Sequence, residues 1–453
     1  MKKLITIYAV TALLSLLCLG GGPAFAGWTV VSLHPAGAEG SCANGVSGGQ
    51  QVGYAWFSGK YHAGLWSGTA GSWMDLNPAW ANHSKANGVS GGQQVGWAFQ
   101  ATAPSESNNH AILWSGGSWV DLHPARAGEW AWSSKAYGVS GGQQVGWATF
   151  GGHGTAALWS GSAASWVDLN PGGPYPGGSW ASCAYGVSGG QQVGWAETES
   201  GRHAALWSGS AASWVDLNPP GATYSNAYGI SGGQKVGDAA FEQFGLDNYH
   251  AGLWSGTAGS WVDLNPSGAT SSSATGVSGG KQVGFATIGS NKHASLWSGT
   301  AASWVDLHAL LPAGEYTESC AYGIDVSAGE IWVAGHADYE AMLWHYTDEP
   351  VNTPVEQIQK IFEFTEDSVA GGTLEGVGTG KSADKKLGAL VNMLEVAGYL
   401  IISENYDIAC DQLTAVLSKC DGQSPPPDFV EGDAVGDLAI MIQELKTELC
   451  EML

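Results

Sequence analysis

The chain has 453 residues, with 69 Gly and 23 Trp and only 12% charged residues, and carries a formal net charge of −24. Such a balance excludes a nucleic-acid binder, which needs Lys and Arg against phosphate, and a protein that docks on anionic lipid. Its Gly and Trp content suits many tight turns between short strands.

Residues 1–26 read as a secretory signal. Lys2 and Lys3 give a basic start, Leu4 to Leu19 an apolar run, and Ala24-Phe25-Ala26 a small-residue cleavage site. Cys18 lacks the small residue before it that a lipoprotein site needs. No later apolar run reaches 18 residues, so no membrane span is expected and the protein is placed in the periplasm or outside the cell. That compartment permits disulfides, but six remaining Cys are too sparse to form the main scaffold.

From residue 27 one sentence is written repeatedly, as in the stretch SCAYGVSGGQQVGWAETESGRHAALWSGSAASWVDLNP from Ser182 to Pro219. The Gly of its phrase S-x-A-x-G recurs at Gly45, Gly88, Gly138, Gly186, Gly229, Gly276 and Gly323, 43 to 50 residues apart. Each unit holds four short apolar segments between Gly, Ser, Asn and Pro. In the fourth unit the strands fall at Ser182–Ser188, Gln191–Ala196, His203–Trp207 and Ser213–Leu217. Seven repeats of four strands predict a seven-bladed β-propeller.

The seventh unit lacks its W-x-D-L phrase, but the chain after residue 26 opens with Gly27-Trp28-Thr29-Val30-Val31-Ser32-Leu33-His34-Pro35, close to Ser118-Trp119-Val120-Asp121-Leu122-His123-Pro124. The N-terminal segment should therefore be the outer strand of the last blade, which closes the ring and removes two free edges. W-x-D-L is then outermost and S-x-A-x-G innermost. Length variation falls at residues 99–109, 124–133, 171–181, 239–249 and 308–318. All are connections of the second strand to the third, or of one blade to the next. They share one face, which is the better candidate for binding.

A linker covers 347–355, followed by an acidic helical domain over 356–453. Helical patterns run over Val355 to Phe364, Ala383 to Ser403, Asn405 to Lys419 and Gly432 to Leu453. Gly371 to Gly380 is a Gly-rich loop, and Pro425 to Pro427 break the pattern. Residues 347–453 carry 20 acidic and 6 basic residues, a net of −14. The fold class expected is mainly β: a seven-bladed propeller over 27–346 closed by its N-terminal strand, then a small α-helical domain.

The phrases G-V-S-x-x-x-Q-V-G, H-A-x-L-W-S-G and W-V-D-L resemble the HAF-type extracellular repeat of secreted bacterial proteins, over about residues 27–346. His-Ala-Phe itself is not spelt; this chain has His203-Ala204-Ala205. The tail, with Ala409-Cys410-Asp411-Gln412-Leu413 and Pro426-Pro427-Asp428-Phe429-Val430, is similar to FIMAH-like helical modules of such proteins. The resemblance implies architecture and an extracellular place, and no particular activity.

Residues that recur in equivalent places read as scaffold. His62, His110, His203, His250 and His293 lie one per blade around a ring, whereas a metal needs converging ligands, so no metal site is expected. Asp75, Asp121, Asp168, Asp216, Asp263 and Asp306 suit a turn or inter-blade bond better than a catalytic pair. The Trp of LWSG and W-x-D-L suit packing between blades. After Q-V-G stand Tyr54, Trp97, Trp147, Trp195, Asp238, Phe285 and His336, with packing again preferred to ligand stacking. Three before each anchor Gly stand Cys42, Lys85, Lys135, Cys183, Asn226, Ser273 and Cys320. A Cys42–Cys320 bridge would lock the ring, but equivalent inner strands stand too far apart for it to be expected. In the tail, antiparallel helices favour Cys410–Cys450.

Aromatics in the connections between blades lack the repeat's packing role. Trp80, Trp130, Trp132, Tyr175, Trp180, Tyr224 and Tyr316 are therefore the candidate ligand-binding residues. No catalytic residue is assigned. Gly378-Thr379-Gly380-Lys381-Ser382 lacks the spacing of a phosphate loop, no Gly-x-Ser-x-Gly elbow occurs, and no cofactor is called for. The function expected is a non-catalytic binding or scaffold module for an extracellular glycan or protein partner. The alternatives are a polysaccharide-active enzyme using carboxylates such as Glu197, Glu199, Glu242 or Asp247, or a purely structural surface or matrix protein.

Overall fold

A computed structural model describes residues 27–99, 108–126, 129–150, 153–172, 181–241, 248–347, 354–422 and 428–451. Residues 27–349 form one compact unit and residues 350–453 belong to another. The first is a propeller of seven four-stranded antiparallel sheets. Its fourth blade runs Ser182–Ser188, Gln191–Thr198, Gly201–Trp207 and Val215–Asp216. Gly45, Gly88, Gly138, Gly186, Gly229, Gly276 and Gly323 line a central channel of about 200 Å³, which places S-x-A-x-G innermost. A Cβ on Gly88 would meet the Tyr137 carbonyl at 2.6 Å, so adjoining inner strands approach only because this residue has no side chain.

The ring closes through its N-terminal strand, Trp28–Ser32, which pairs antiparallel with Glu340–Tyr346 in the register Trp28↔Tyr346 to Ser32↔Met342. Beyond it the Leu33 N–H donates to the Ala341 carbonyl at 2.8 Å, and Leu33 is fully buried.

Each repeated phrase has a structural task. Gly48 and Gly49 take φ of 56° and 74°, so the first hairpin turn has the doubly left-handed form that matches strand twist. Gln51 then bridges two turns, with Nε2 donating to Gly49 O at 3.0 Å and Oε1 accepting the Gly68 N–H at 2.8 Å. The Ser of S-x-A-x-G welds each blade to the one before. Ser225 Oγ accepts the Ala204 N–H at 2.9 Å and donates to Asn218 Oδ1 at 2.6 Å. The His of the third strand donates through Nδ1 to the Asp of the fourth strand of its own blade, as His203 does to Asp216 at 2.8 Å. The other oxygen of that carboxylate accepts the N–H two residues on, here Asn218. The bond therefore stays within one blade. The LWSG Trp crosses to the preceding blade: Trp207 packs with Val145, Leu158 and Leu169.

The outer strands are shorter than the W-x-D-L phrase suggests. A 3₁₀ turn, Ala211–Ser213, occupies the start of the fourth strand expected in the fourth blade, because Ser213 Oγ accepts the Ser208 N–H at 2.8 Å and donates to Ser210 O at 2.6 Å. The second blade has a tight Gly116-Gly117 turn instead, and its outer strand is Ser118–Asp121.

The second unit has four described helices: α1 Pro354–Ala370, α2 Lys381–Ile402, α3 Tyr406–Leu417 and α4 Val435–Glu451. Ile358, Phe362, Leu390, Leu394, Leu413, Leu438, Ile442 and Leu445 form its core. The first helix runs past Phe364 because Thr365, polar yet buried, donates to the Ile361 carbonyl at 2.6 Å. The Gly-rich loop holds Glu375–Gly376, paired with Val430–Glu431. A disulfide joins Cys410 of α3 to Cys450 of α4. Among the described residues no helix is long and apolar enough to cross a membrane. Pro425 to Pro427 lie outside the described residues.

Candidate functional site

The two variable series are cross-strand partners. Each inner strand carries a β-bulge between the Ala and Gly of S-x-A-x-G, which shifts register by one residue. Cys42 then faces Tyr54, Lys85 faces Trp97, Lys135 faces Trp147 and Cys183 faces Trp195. Asn226 faces Asp238, Ser273 faces Phe285 and Cys320 faces His336. Seven pairs thus ring the axis on the side of the long connections. The bulged residues lie next to them: Asn44 Nδ2 and Asn87 Nδ2 donate to carbonyls of the next blade at 2.8 Å, and the rings of Tyr137, Tyr185 and Tyr228 touch in a chain.

The ring holds cations over aromatic faces. Lys85 Nζ lies 3.6 Å from the Tyr54 ring centre and 4.2 Å from that of Tyr61, and Lys135 Nζ 4.7 Å from Trp97. Arg202 and Lys292, from third strands, lie over Trp195 at 3.8 Å and Phe285 at 4.6 Å. Burial pulls Lys85 down to about 8, a fall that nearby Cys42 opposes and Lys135 deepens. Burial also lowers Lys135. The ring's carboxyl, Asp238, is buried and pushed up by that burial, although Asn226 Nδ2 and Ser273 Oγ donate to it at 2.9 and 2.8 Å. Cys42, Cys183 and Cys320 are free, buried thiols; burial raises Cys42 to about 12 and Cys320 to about 11.

A second feature lies between blades two and three. Asn108, His110, Asp121, His123, Ala131 and Trp132 line a pocket of about 310 Å³. His110 and His123 stack at 4.0 Å. His110 Nδ1 donates to Asp121 Oδ2 at 2.7 Å, and Asp121 Oδ1 accepts the His123 N–H at 2.8 Å. Burial raises the Asp121 carboxyl, but these bonds outweigh it and hold it below the usual carboxylate range. His123 Nδ1 lies 2.9 Å from Ser134 Oγ and Nε2 donates to Ala131 O at 2.8 Å, and burial lowers its pKa, which favours the neutral ring.

The candidate aromatics separate on inspection of their places. Trp132 is 57% exposed at the pocket mouth. Trp80 is half-buried beside the same blade, its ring 5.9 Å from His110 and 6.0 Å from Trp119. Trp130 pairs with Ala125 in a small hairpin inside its connection. Tyr224 is not in a loop: it lies within the inner strand Ala222–Ser231, extended beyond the repeat, with its ring against Tyr249 and 5.2 Å from Arg202. Tyr316 is half-buried and its hydroxyl donates to Glu340 at 3.1 Å. Tyr175 and Trp180 lie outside the described residues, as do Glu242 and Asp247. Glu197 accepts the Ala181 N–H at 3.2 Å, and Glu199 is exposed. Among the described residues no three His, Cys, Asp or Glu side chains converge as a metal site requires. Arg202 and Lys292 were not singled out by sequence reading; the sign available was that residues 27–346 hold only eight Lys and Arg.

No family model and no curated protein matches the chain. Among solved structures it is similar to a puromycin hydrolase S511A mutant complexed with PGG, at 15% identity and a TM-score of 0.45, over 66% of this chain and 50% of that one. The chain therefore spans about half the length of that protein. It is also similar to the β-propeller domain of the Trilobed protease from Pyrococcus furiosus, at 9% identity and TM-score 0.42, over 69% and 97% of the two chains. An oligogalacturonate lyase in complex with manganese matches at 8% and 0.42, over 71% and 96%. At these identities the likeness concerns the propeller fold alone.

Proposed function

We propose that this protein is a secreted, non-catalytic propeller that binds an extracellular saccharide or protein partner through its long-connection face, with the Trp132 pocket as the contact. The exposed Trp132 indole at a polar-lined pocket carries this reading. A bare indole beside Asn108, His110 and Asp121 offers a flat apolar surface and directional polar groups together, the combination that orients a ring-shaped ligand. The non-catalytic part is supported by Asp121, the one carboxyl lining the pocket, whose two oxygens are taken by His110 and His123 in the same pattern as in other blades.

Export is supported by the pattern of residues 1–26 and by the Cys410–Cys450 bridge, which persists in oxidising surroundings. The HAF-type reading of the repeats and the FIMAH-like reading of the tail belong to the same proposal. The acidic helical unit then serves attachment or association. A screen of the full chain against glycans and surface proteins tests the binding site, with Trp132→Ala as the variant and thermal unfolding as the fold control. Binding should weaken roughly tenfold or more, as for an aromatic anchor. Full binding by a folded Trp132→Ala protein removes this pocket from the account.

A further inference from the structure

The axial ring raises a separate question. Residues 27–346 hold only eight Lys and Arg, yet four of them, Lys85, Lys135, Arg202 and Lys292, stand in or over this ring. Among the described residues none of the four lies within 4.0 Å of a carboxylate oxygen, and none donates a hydrogen bond. Arg202 Nε is buried with no partner. Ring faces steady these cations but leave their N–H groups unspent. Lys85 and Lys135 also repel one another across adjacent blades. Residues 27–346 hold 20 acidic residues, and among the described ones none pairs with these cations. Lys292 is exposed, but Lys85, Lys135 and Arg202 are half-buried, and such unpaired cations grouped about the axis mark a place prepared for an anion.

We infer that the axial ring binds a sugar acid, a pyranose carrying one carboxylate, with Lys85, Lys135 and Arg202 as its anion-binding groups. The site goes beyond the Trp132 pocket and stands on different residues. Two observations choose this ligand class. The flanking walls are aromatic, with Tyr61, Trp97, Trp195 and Tyr224 beside the cations, which suits the apolar face of a sugar ring. Acidic groups flank the basic centre at two places: Glu197 stands across from Arg202, and Glu318 and Asp338 lie towards His336. A polyanion would meet those carboxylates, whereas one carboxylate brought to the axis meets the cations. Asp238 does not compete, since Asn226 and Ser273 already bind it.

The test uses the full chain, with binding followed by titration calorimetry and Trp fluorescence. The probes are an oligosaccharide ending in glucuronate and its neutral glucose counterpart. The acidic probe should bind roughly tenfold or more tightly than the neutral one, since charge-assisted hydrogen bonds are the strong ones. Lys85→Gln with Lys135→Gln should remove that preference, and Lys85→Arg with Lys135→Arg should keep it. Binding to the unaltered protein should weaken between pH 7 and 9.5 as Lys85 loses its proton. Trp132→Ala should leave the preference for the acidic over the neutral probe unchanged, so loss at one site is distinguished from loss at the other. Equal affinity for both probes, or full preference in a Gln variant that still unfolds cooperatively, overturns the inference. Inorganic phosphate binding as tightly as the glucuronate probe overturns the assignment to a sugar acid.

Discussion

Ser41 Oγ accepts the backbone N–H of Ala341 at 2.9 Å, across 300 residues of sequence. The same oxygen lies 2.9 Å from His34 Nδ1, so one hydroxyl ties the first blade both to the seventh and to the segment that completes it. Removing residues 27–33 should lower the thermal midpoint of the whole propeller, because the strand Glu340–Tyr346 loses its outer partner. Leu33→Ala alone should cost about 2–5 kcal/mol, the usual range for a fully buried Leu. Chemical denaturation followed by Trp fluorescence measures both, and an unchanged midpoint in the deletion would show that closure carries no stability.

Ser225→Ala tests the weld at an ordinary blade boundary. It leaves the buried Ala204 N–H without an acceptor and Asn218 Oδ1 without a donor. A loss of about 1–3 kcal/mol is expected, the cost of an unsatisfied buried group. Ser208→Ala, at an exposed position, should shift stability by less than about 0.5 kcal/mol.

Acid sensitivity should come from the imidazoles that burial lowers, His83, His336, His123 and His308, and the last two can be tested together. Burial lowers both imidazoles, and a neighbouring His adds to the effect in each case. A folded pKa below the unfolded one gives stability that is complete above the unfolded value, about 6.5, and is lost as pH falls through it towards the folded value. Stability should therefore fall from near neutrality downward. Asn fills the equivalent place at Asn77, Asn218 and Asn265 and makes matching bonds. His123→Asn with His308→Asn should keep stability at pH 8 and flatten the decline to pH 5.5. An unchanged slope in the double variant would move the acid sensitivity to other groups.

Reduction should destabilise the helical unit. The Cys410–Cys450 bridge closes a loop of 40 residues, which in the chain-entropy account contributes about 4 kcal/mol. Cys410→Ser with Cys450→Ser should unfold the helices at lower temperature, read by far-UV circular dichroism. No shift would mean that the core around Leu394, Leu413 and Leu445 suffices alone.

The blades were legible because the repeat shows the same task many times, and a missing phrase at one end had its copy at the other. The site was less legible for a local reason. Counted back from Gly48-Gly49 without a bulge, Tyr54 would face Ala43; the bulge makes it face Cys42. The two variable series could be written down, but not that they are neighbours. Arg202 and Lys292 were hidden differently: they reach the ring from third strands, where sequence distance gives no hint of it. Tyr224 looked like loop because Ala222–Ser231 extends beyond the repeat.

The order in which the chain is made has a bearing on the closure strand. Trp28–Ser32 is finished early, yet its partners, Met342 to Tyr346, come more than 300 residues later. Until then this apolar segment has no place in any sheet, and the growing array ends in a raw edge. A product that stops short of Tyr346 leaves both of them uncovered. The contact that holds the finished ring is therefore also a check on completeness, satisfied only when the last blade has arrived.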